Sequence, residues 1–228
     1  SGSLIFLVVG FINGIAMEAG VVIARYYGAQ NKDFLHKAIH TTVVFGLTAG
    51  AALTVIGMTL APKIPMLMGT PSDVLPQSIA YFRTYFAGSL GFVMSNIFVG
   101  ILQSVGDSRH PLMYLIISSC INVVLDIFFI ANLGMGVGSA ALATAIFQFT
   151  STILCLIHLT RTKEEYRLQI QSIHFDGPMQ GQIIQNGIPA GFQNSVIAIA
   201  NVFVQANINA FGKIAMAGCL NTIISVHE

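Results

Sequence analysis

The chain has 228 residues, of which 54% are hydrophobic and 8% charged, and its formal net charge is +1. Soluble domains carry roughly 25% charged residues, so this composition excludes an ordinary soluble domain and points to an all-α, polytopic membrane protein. The near-neutral balance leaves no basic surface for nucleic acid. Cys120, Cys155 and Cys219 all lie in apolar segments with no CxxC pairing, which reads as small buried hydrophobes rather than metal or disulfide chemistry.

Taken in order, residues 4–24 form a first apolar span, in which Gly10, Gly14 and Gly20 offer a small-residue surface for close helix contact. Glu18 interrupts it about two turns before Arg25, either as a buried polar partner or as an acid reaching the interface. The link RYYGAQNKDFLHK that follows is basic, and Tyr26 and Tyr27 suit an interfacial belt. A second, uncharged span covers residues 38–61. It runs into a segment holding Pro62, Pro65, Pro71 and Pro76. That segment must be a loop, because repeated proline strips the backbone of donors that lipid cannot replace.

The third span, 79–104, places Asn96, Gly100 and Gln103 at helical spacing, where Asn96 and Gln103 can line a polar interior. Spans at 111–132 and 137–159 are joined by a turn at Leu133–Gly138 too short to do anything but reverse the chain. The first of them carries Ser118, Asn122 and Asp126 on one helical face. A carboxylate in the middle of an apolar span costs at least about 2.5 kcal/mol, so it is expected to face a cavity or partner and to mark an ion or proton site. The next span repeats Thr144, Gln148 and Thr152 every four residues, a polar stripe able to oppose the Asn122 and Asp126 face. Carboxylate and amide oxygens with a hydroxyl are the hard ligands a small cation prefers.

Residues 160–180 are the one long polar segment, and span 182–211 restarts the pattern with Pro189 as a hinge. Gln193, Asn194 and Asn201 on that span suit a wet cavity better than lipid. The apolar opening SGSLIFLVVG and the stop at His227 and Glu228 inside a developing apolar run lead to the expectation of an internal piece of a longer chain. No GxSxG elbow or second mid-span Asp supports an intramembrane hydrolase, so no enzyme is expected.

The strings LQSVGDSRHP, INVVLDIFF and GMGVGSAALATAIFQ, with VVIARYYGAQN before them and NGIPAGFQNS after, occur in one order and at one helix spacing. In this the chain resembles the multidrug and toxic compound extrusion transporters over nearly its whole length. The resemblance implies a piece running from helix two into helix eight of a twelve-helix, two-lobe antiporter. It implies an N-terminal lobe at 1–160, a cytoplasmic linker at 161–180 and the start of a C-terminal lobe at 181–228. Drugs or organic cations, cationic or amphipathic, would leave across the cell membrane in exchange for sodium ions or protons, with no cofactor beyond the coupling ion. Asn122, Asp126 and Thr144 match the family's cation site, with Asp126 and Asn122 as sodium ligands in a sodium-coupled case; an acid from helix one completes that site in the family. Other branches carry a Glu on helix seven where this chain is uncharged near Ile197. A flippase for lipid-linked saccharides shares the architecture but is expected to line its cavity with cations, whereas Lys and Arg here sit in loops and at span ends.

Counted by alternate loops, one side holds Arg25, Lys32, Lys37, Arg109, Arg161, Lys163 and Arg167, and the other Lys63, Arg83 and Lys213. The excess side is cytoplasmic. Single cysteines placed at 62–77 and at 160–180 should therefore label from opposite faces of the membrane; labelling of both from one face would contradict the assignment.

Overall fold

The computed structural model describes residues 2–63, 75–131 and 138–210, with side-chain placement given for all of these except 2–13, 77, 130–131, 138–140, 198–199 and 201–210. Every regular element among them is helical: α1 (Gly2–Gly28), α2 (Lys32–Leu60), α3 (Leu75–Ala87), α4 (Ser89–Ser104), α5 (Arg109–Ala131), α6 (Gly138–Arg161), a 3-10 turn (Ile170–Ser172) and α7 (Gly177–Ala210). The six expected spans correspond to these helices. Most of the Pro-rich loop, the turn before Gly138 and the chain after Ala210 lie outside the described residues.

Local chemistry sets the boundaries. After α1, Asn31 N–H donates to Tyr26 O and Gln30 N–H to Tyr27 O, the paired 6→1 and 5→2 bonds that close a helix on a left-handed residue. Gln30 supplies that residue with φ 53°. Asn31 then caps α2 by accepting from Phe34 N–H. The same closure recurs after α4, where Asp107 N–H reaches Leu102 O and Gly106 N–H reaches Gln103 O, here with Gly106 at φ 88°. Asp107 in turn accepts from His110 N–H at the start of α5. Pro111 sits in that first turn, where a missing donor is harmless. GDSRHP is thus one stop-and-start signal.

The span expected at 79–104 is not one straight helix. It breaks between α3 and α4 with a 40° bend at Gly88, whose N–H is shared between Thr84 O and Tyr85 O. A Cβ on Gly88 would stand 2.9 Å from Ala145 Cβ, so the bend is where α6 lies against the pair. Among the described residues three helices, α2, α5 and α6, are each long and apolar enough to cross a membrane, or four spans with the bent pair counted as one.

The core is formed by α1, α2 and α4, with Ile23, Leu35, Ile39, Ile97, Phe98 and Leu102 fully enclosed. Against it α7 crosses α1 at a glycine contact: a Cβ on Gly14 would lie 2.6 Å from Gly191 Cα and N. Helix α5 is peripheral, resting mainly on α6, and it turns Ile116, Val124 and Ile127 outward at 56%, 65% and 62% exposure. An apolar exterior over a polar inner face is the pattern of a helix solvated by lipid.

Residues 162–176 pack rather than dangle. Tyr166 and Leu168 are buried, Tyr27 meets Tyr166 edge-on, and Lys32 pairs with Glu165 at 2.7 Å on the surface. Asp176 fastens the end of the segment. It accepts from Met179 N–H at the start of α7, pairs with Lys37 at 3.4 Å, and its own N–H reaches Thr41 Oγ1. The Met179 bond, helped by Lys37, holds its carboxyl below the usual carboxylate range. A depressed folded value means this anchoring is present above the unfolded carboxylate range, near pH 4, and is lost as pH falls through the folded one.

Two measurements follow. Gly14→Val should lower the thermal midpoint in detergent by the equivalent of about 1–3 kcal/mol of overpacking, because the obstacle is backbone and cannot rotate away, while Gly28→Ala, with nothing within 4 Å of the added carbon, should leave it unchanged. Asp176→Asn should increase protease cleavage of 160–180 at neutral pH, and the difference from wild type should vanish below the carboxylate range; an equal difference at acid pH would show the charge to be irrelevant.

Candidate functional site

Three polar atoms on one face of α5 are buried without hydrogen-bond partners: Ser118 Oγ, Asn122 Nδ2 and Asp126 Oδ1. They repeat at intervals of four residues, so the side chains stack along the inner face of α5. Among the buried groups of an apolar slab this is costly: an unpaired hydroxyl or amide costs about 1–3 kcal/mol, and a carboxylate more. Elsewhere hydroxyls are satisfied within their own helices, as with Thr42 to Ala38 O, Thr54 to Gly50 O and Thr150 to Ile146 O. The α5 row is where that local solution is not used.

Across the hairpin, depth can be counted from a contact near the helix ends. The rings of His110 and His158 are 4.3 Å apart. Sixteen residues on from His110 is Asp126, and fourteen back from His158 is Thr144; at about 1.5 Å per residue these lie within roughly 3 Å of one depth. Thr144 and Gln148 line a cavity of about 80 Å³ bounded by Leu53 on α2, Tyr85 and Phe86 on α3, and Ser89 and Phe92 on α4. Thr152, the third member of the stripe, does not oppose α5. Its hydroxyl donates to Gly91 O on α4 at 2.8 Å, and its neighbour Ser151 accepts from Ser95 Oγ. The stripe thus stays on one side of α6, the side turned to α2, α3 and α4 rather than to the Asn122 and Asp126 face, because α6 packs against α3 and α4 as well as α5.

Asn96 and Gln103 are brought together. With Ser104 they supply the polar part of a cavity of about 450 Å³ between α1 and α4, whose other walls include Met17, Gly20 and Val21. Asn96 is held in place by donating to Phe92 O at 2.8 Å. On α7, Gln193 is exposed and Asn194 half-buried, while the Asn201 side chain lies outside those described. Neither Gln193 nor Asn194 lines the α1–α4 cavity. Glu18 is half-buried on α1, and no ion pair links it to another described residue.

A second cluster escaped sequence reasoning. Asp107 Oδ2 lies 2.7 Å from His110 Nδ1 and 3.4 Å from His158 Nε2, and Tyr114 Oη is 3.1 Å from His158 Nδ1. The signal existed: a short antiparallel hairpin must bring its outer ends together, so a histidine in the last turn of α6 meets whatever opens α5.

The sequence profile described as MatE matches residues 1–128. Among curated relatives, the chain is 27% identical over 231 residues to "Probable multidrug resistance protein YoeA" of Bacillus subtilis, covering 97% of this chain and 50% of that protein. It is 25% identical over 205 residues to "Probable multidrug resistance protein NorM" of Thermotoga maritima, covering 86% and 44%. Among solved structures, that of MATE in complex with MaD3S superposes with a TM-score of 0.83 at 24% identity, covering 94% of this chain and 49% of that one. The chain spans about half the length of the curated relatives it matches.

Proposed function

This chain belongs to the MatE family, the multidrug and toxic compound extrusion transporters of the resemblance, and from that membership and the buried face of α5 we propose that it forms the coupling half of a multi-pass exporter. In this reading residues 1–160 are the N-terminal lobe, 161–180 the cytoplasmic link and 181–228 the beginning of a second lobe. The exporter moves cationic or amphipathic small molecules across the bilayer against an inward flow of sodium ions or protons. Asp126 holds the ion, with Asn122 and Thr144 beside it.

The observation that carries the proposal is the partnerless Asp126 Oδ1 above Asn122 and Ser118. A carboxylate buried in an apolar slab costs several kcal/mol unless a cation or proton neutralises it. Driving a two-state equilibrium from 1:99 to 99:1 requires about 5.5 kcal/mol of differential binding. One such residue is therefore of the right size to make a dry conformation depend on ion occupancy. The donor set fits either ion unequally. Asn122 buries its amide nitrogen without a partner, a donor suited to the acceptor oxygen that a protonated carboxyl retains, whereas sodium requires the amide to present its oxygen.

The walls of the two cavities bear on the substrate. Asn96, Gln103, Ser104, Thr144 and Gln148 are their main polar groups, and no Lys or Arg lines either. Neutral amides among aliphatic and aromatic walls suit amphipathic organic cations, and they offer no cation to the phosphates of a lipid-linked saccharide, which supports the exporter over the flippase.

Asp126→Asn in the transporter that contains this chain keeps the shape and removes the titration. Dye efflux driven by an imposed ion gradient should fall to background while the protein reaches the membrane and still binds dye, and Asn122→Ala should reduce coupling less. Efflux at the wild-type rate with unchanged gradient dependence would make Asp126 structural.

A further inference from the structure

We propose that Asp107, His110 and His158 form a binding site for a divalent transition-metal ion, zinc being the best fit, that clasps the start of α5 to the end of α6. The three side chains each offer one ligand atom, and these atoms lie within 4.8 Å of one another. An ion with ligands at about 2.0–2.1 Å in tetrahedral geometry sets its donor atoms roughly 3.4 Å apart. The Asp107–His158 pair is at that spacing, 3.4 Å. The Asp107–His110 pair, at 2.7 Å, is a hydrogen bond that must open by roughly 0.7 Å to admit the ion. His110 can supply the movement, because its side chain is 48% exposed.

The arrangement around His158 is the second, independent observation. Its Nδ1 is engaged by Tyr114 Oη at 3.1 Å, while its Nε2 is buried with no hydrogen-bond partner. With Nδ1 protonated and donating to Tyr114, the Nε2 lone pair points toward the Asp107 carboxylate, two acceptors facing one another. A metal ion between them reverses the sign of that contact. Metal-bound histidines ordinarily donate their other ring N–H to an outer partner that fixes tautomer and ring orientation, and Tyr114 is placed to be that partner. Asp107 is anchored from the other side, because its Oδ1 accepts from His110 N–H at the head of α5. Two imidazoles and one carboxylate are a ligand set that zinc and its neighbours favour and that magnesium and calcium do not. Three protein donors leave a fourth position for water. The cluster is sixteen residues from Asp126 along α5, about 24 Å at the helical rise, so it is separate from the proposed coupling site.

The chain, purified in detergent with a tag free of histidine, should take up one zinc ion per molecule in a calorimetric titration. His158→Gln and His110→Gln should each weaken binding at least tenfold, Tyr114→Phe less, and His174→Gln, remote from the cluster, not at all. X-ray absorption at the zinc edge of the wild-type chain supplies a readout independent of any variant's folding, and two imidazole shells are expected there. Absence of saturable binding, equal binding by all variants, or a shell of oxygen atoms alone would overturn the site.

Discussion

Inside an apolar slab every polar group must find its partner within the protein, because no water competes to satisfy it. The helices meet this demand for their backbones automatically, and most hydroxyls meet it by bonding back one turn: Thr42 to Ala38, Thr84 to Ala80, Thr160 to Leu156. Asn96 does the same with Phe92. Each such bond removes a polar atom from circulation and leaves the helix free to pack by shape. Packing by shape is then what the glycines allow at the Gly14–Gly191 crossing and at the Gly88 bend. The groups that break the rule are few and gathered: Ser118, Asn122 and Asp126 on α5, His158 at the end of α6, and His40 and Gln180 near the docked segment. An unpaired polar atom costs stability, so a row of them on one helix face is retained for something other than stability.

The α5–α6 hairpin links two of these exceptions mechanically. Helix α5 has little contact with the core except through α6, and its outer face is apolar and exposed. Its position is therefore set by α6 and by whatever holds the two helix ends together. Near Arg109 the closure after α4, the Asp107 cap and the His110–His158–Tyr114 contacts make that end tight. At the other end Asp126 sits beside the level of Thr144 and the small cavity. In the proposed reading, occupancy of the acid is felt first at the α5–α6 contact, since α5 rests mainly on α6.

Much of this was legible in the sequence. Apolar run length located the helices, since a helix across lipid needs about 20 residues, and Asp126 stood out because a charge there is expensive. The bend at Gly88 was not legible: Gly88 is one of 22 glycines, and what singles it out is Ala145 pressed against it from another helix. The polar segment 160–180 read as a linker because its composition is hydrophilic, and Tyr166 and Leu168, buried among otherwise exposed or half-buried neighbours, are enough to dock it. Composition averages over residues, and docking is decided by two. The stripe Thr144, Gln148 and Thr152 was read correctly as periodic, but periodicity does not say which neighbour a helix packed between several turns it toward, and here that is α2, α3 and α4 rather than α5.

The orientation of Asn122 connects the buried row to the identity of the ion. Asn122 Nδ2 and Asp126 Oδ1 are both buried and neither has a hydrogen-bond partner, so a donor and an acceptor share one face without a bond between them. A protonated Asp126 can keep the amide as it stands, whereas a sodium ion needs the amide turned about its terminal torsion to present its oxygen. That torsion is soft, with broad, two-fold wells, so the rotation itself costs little; the larger cost falls on whichever group the nitrogen then faces. Ser118, one turn from Asn122 and carrying an unpaired hydroxyl oxygen, is the natural acceptor. In the proposed site a sodium ion would recruit all three residues, with Asp126 and the Asn122 oxygen on the ion and the Asn122 nitrogen on Ser118, while a proton would leave Ser118 uninvolved. The three-residue periodicity is fully used by the first arrangement only. Ser118→Ala should accordingly weaken coupling to sodium severalfold and leave coupling to protons unchanged. Efflux driven by each gradient in turn measures the difference, and equal loss with both ions would place Ser118 in packing rather than in ion recognition.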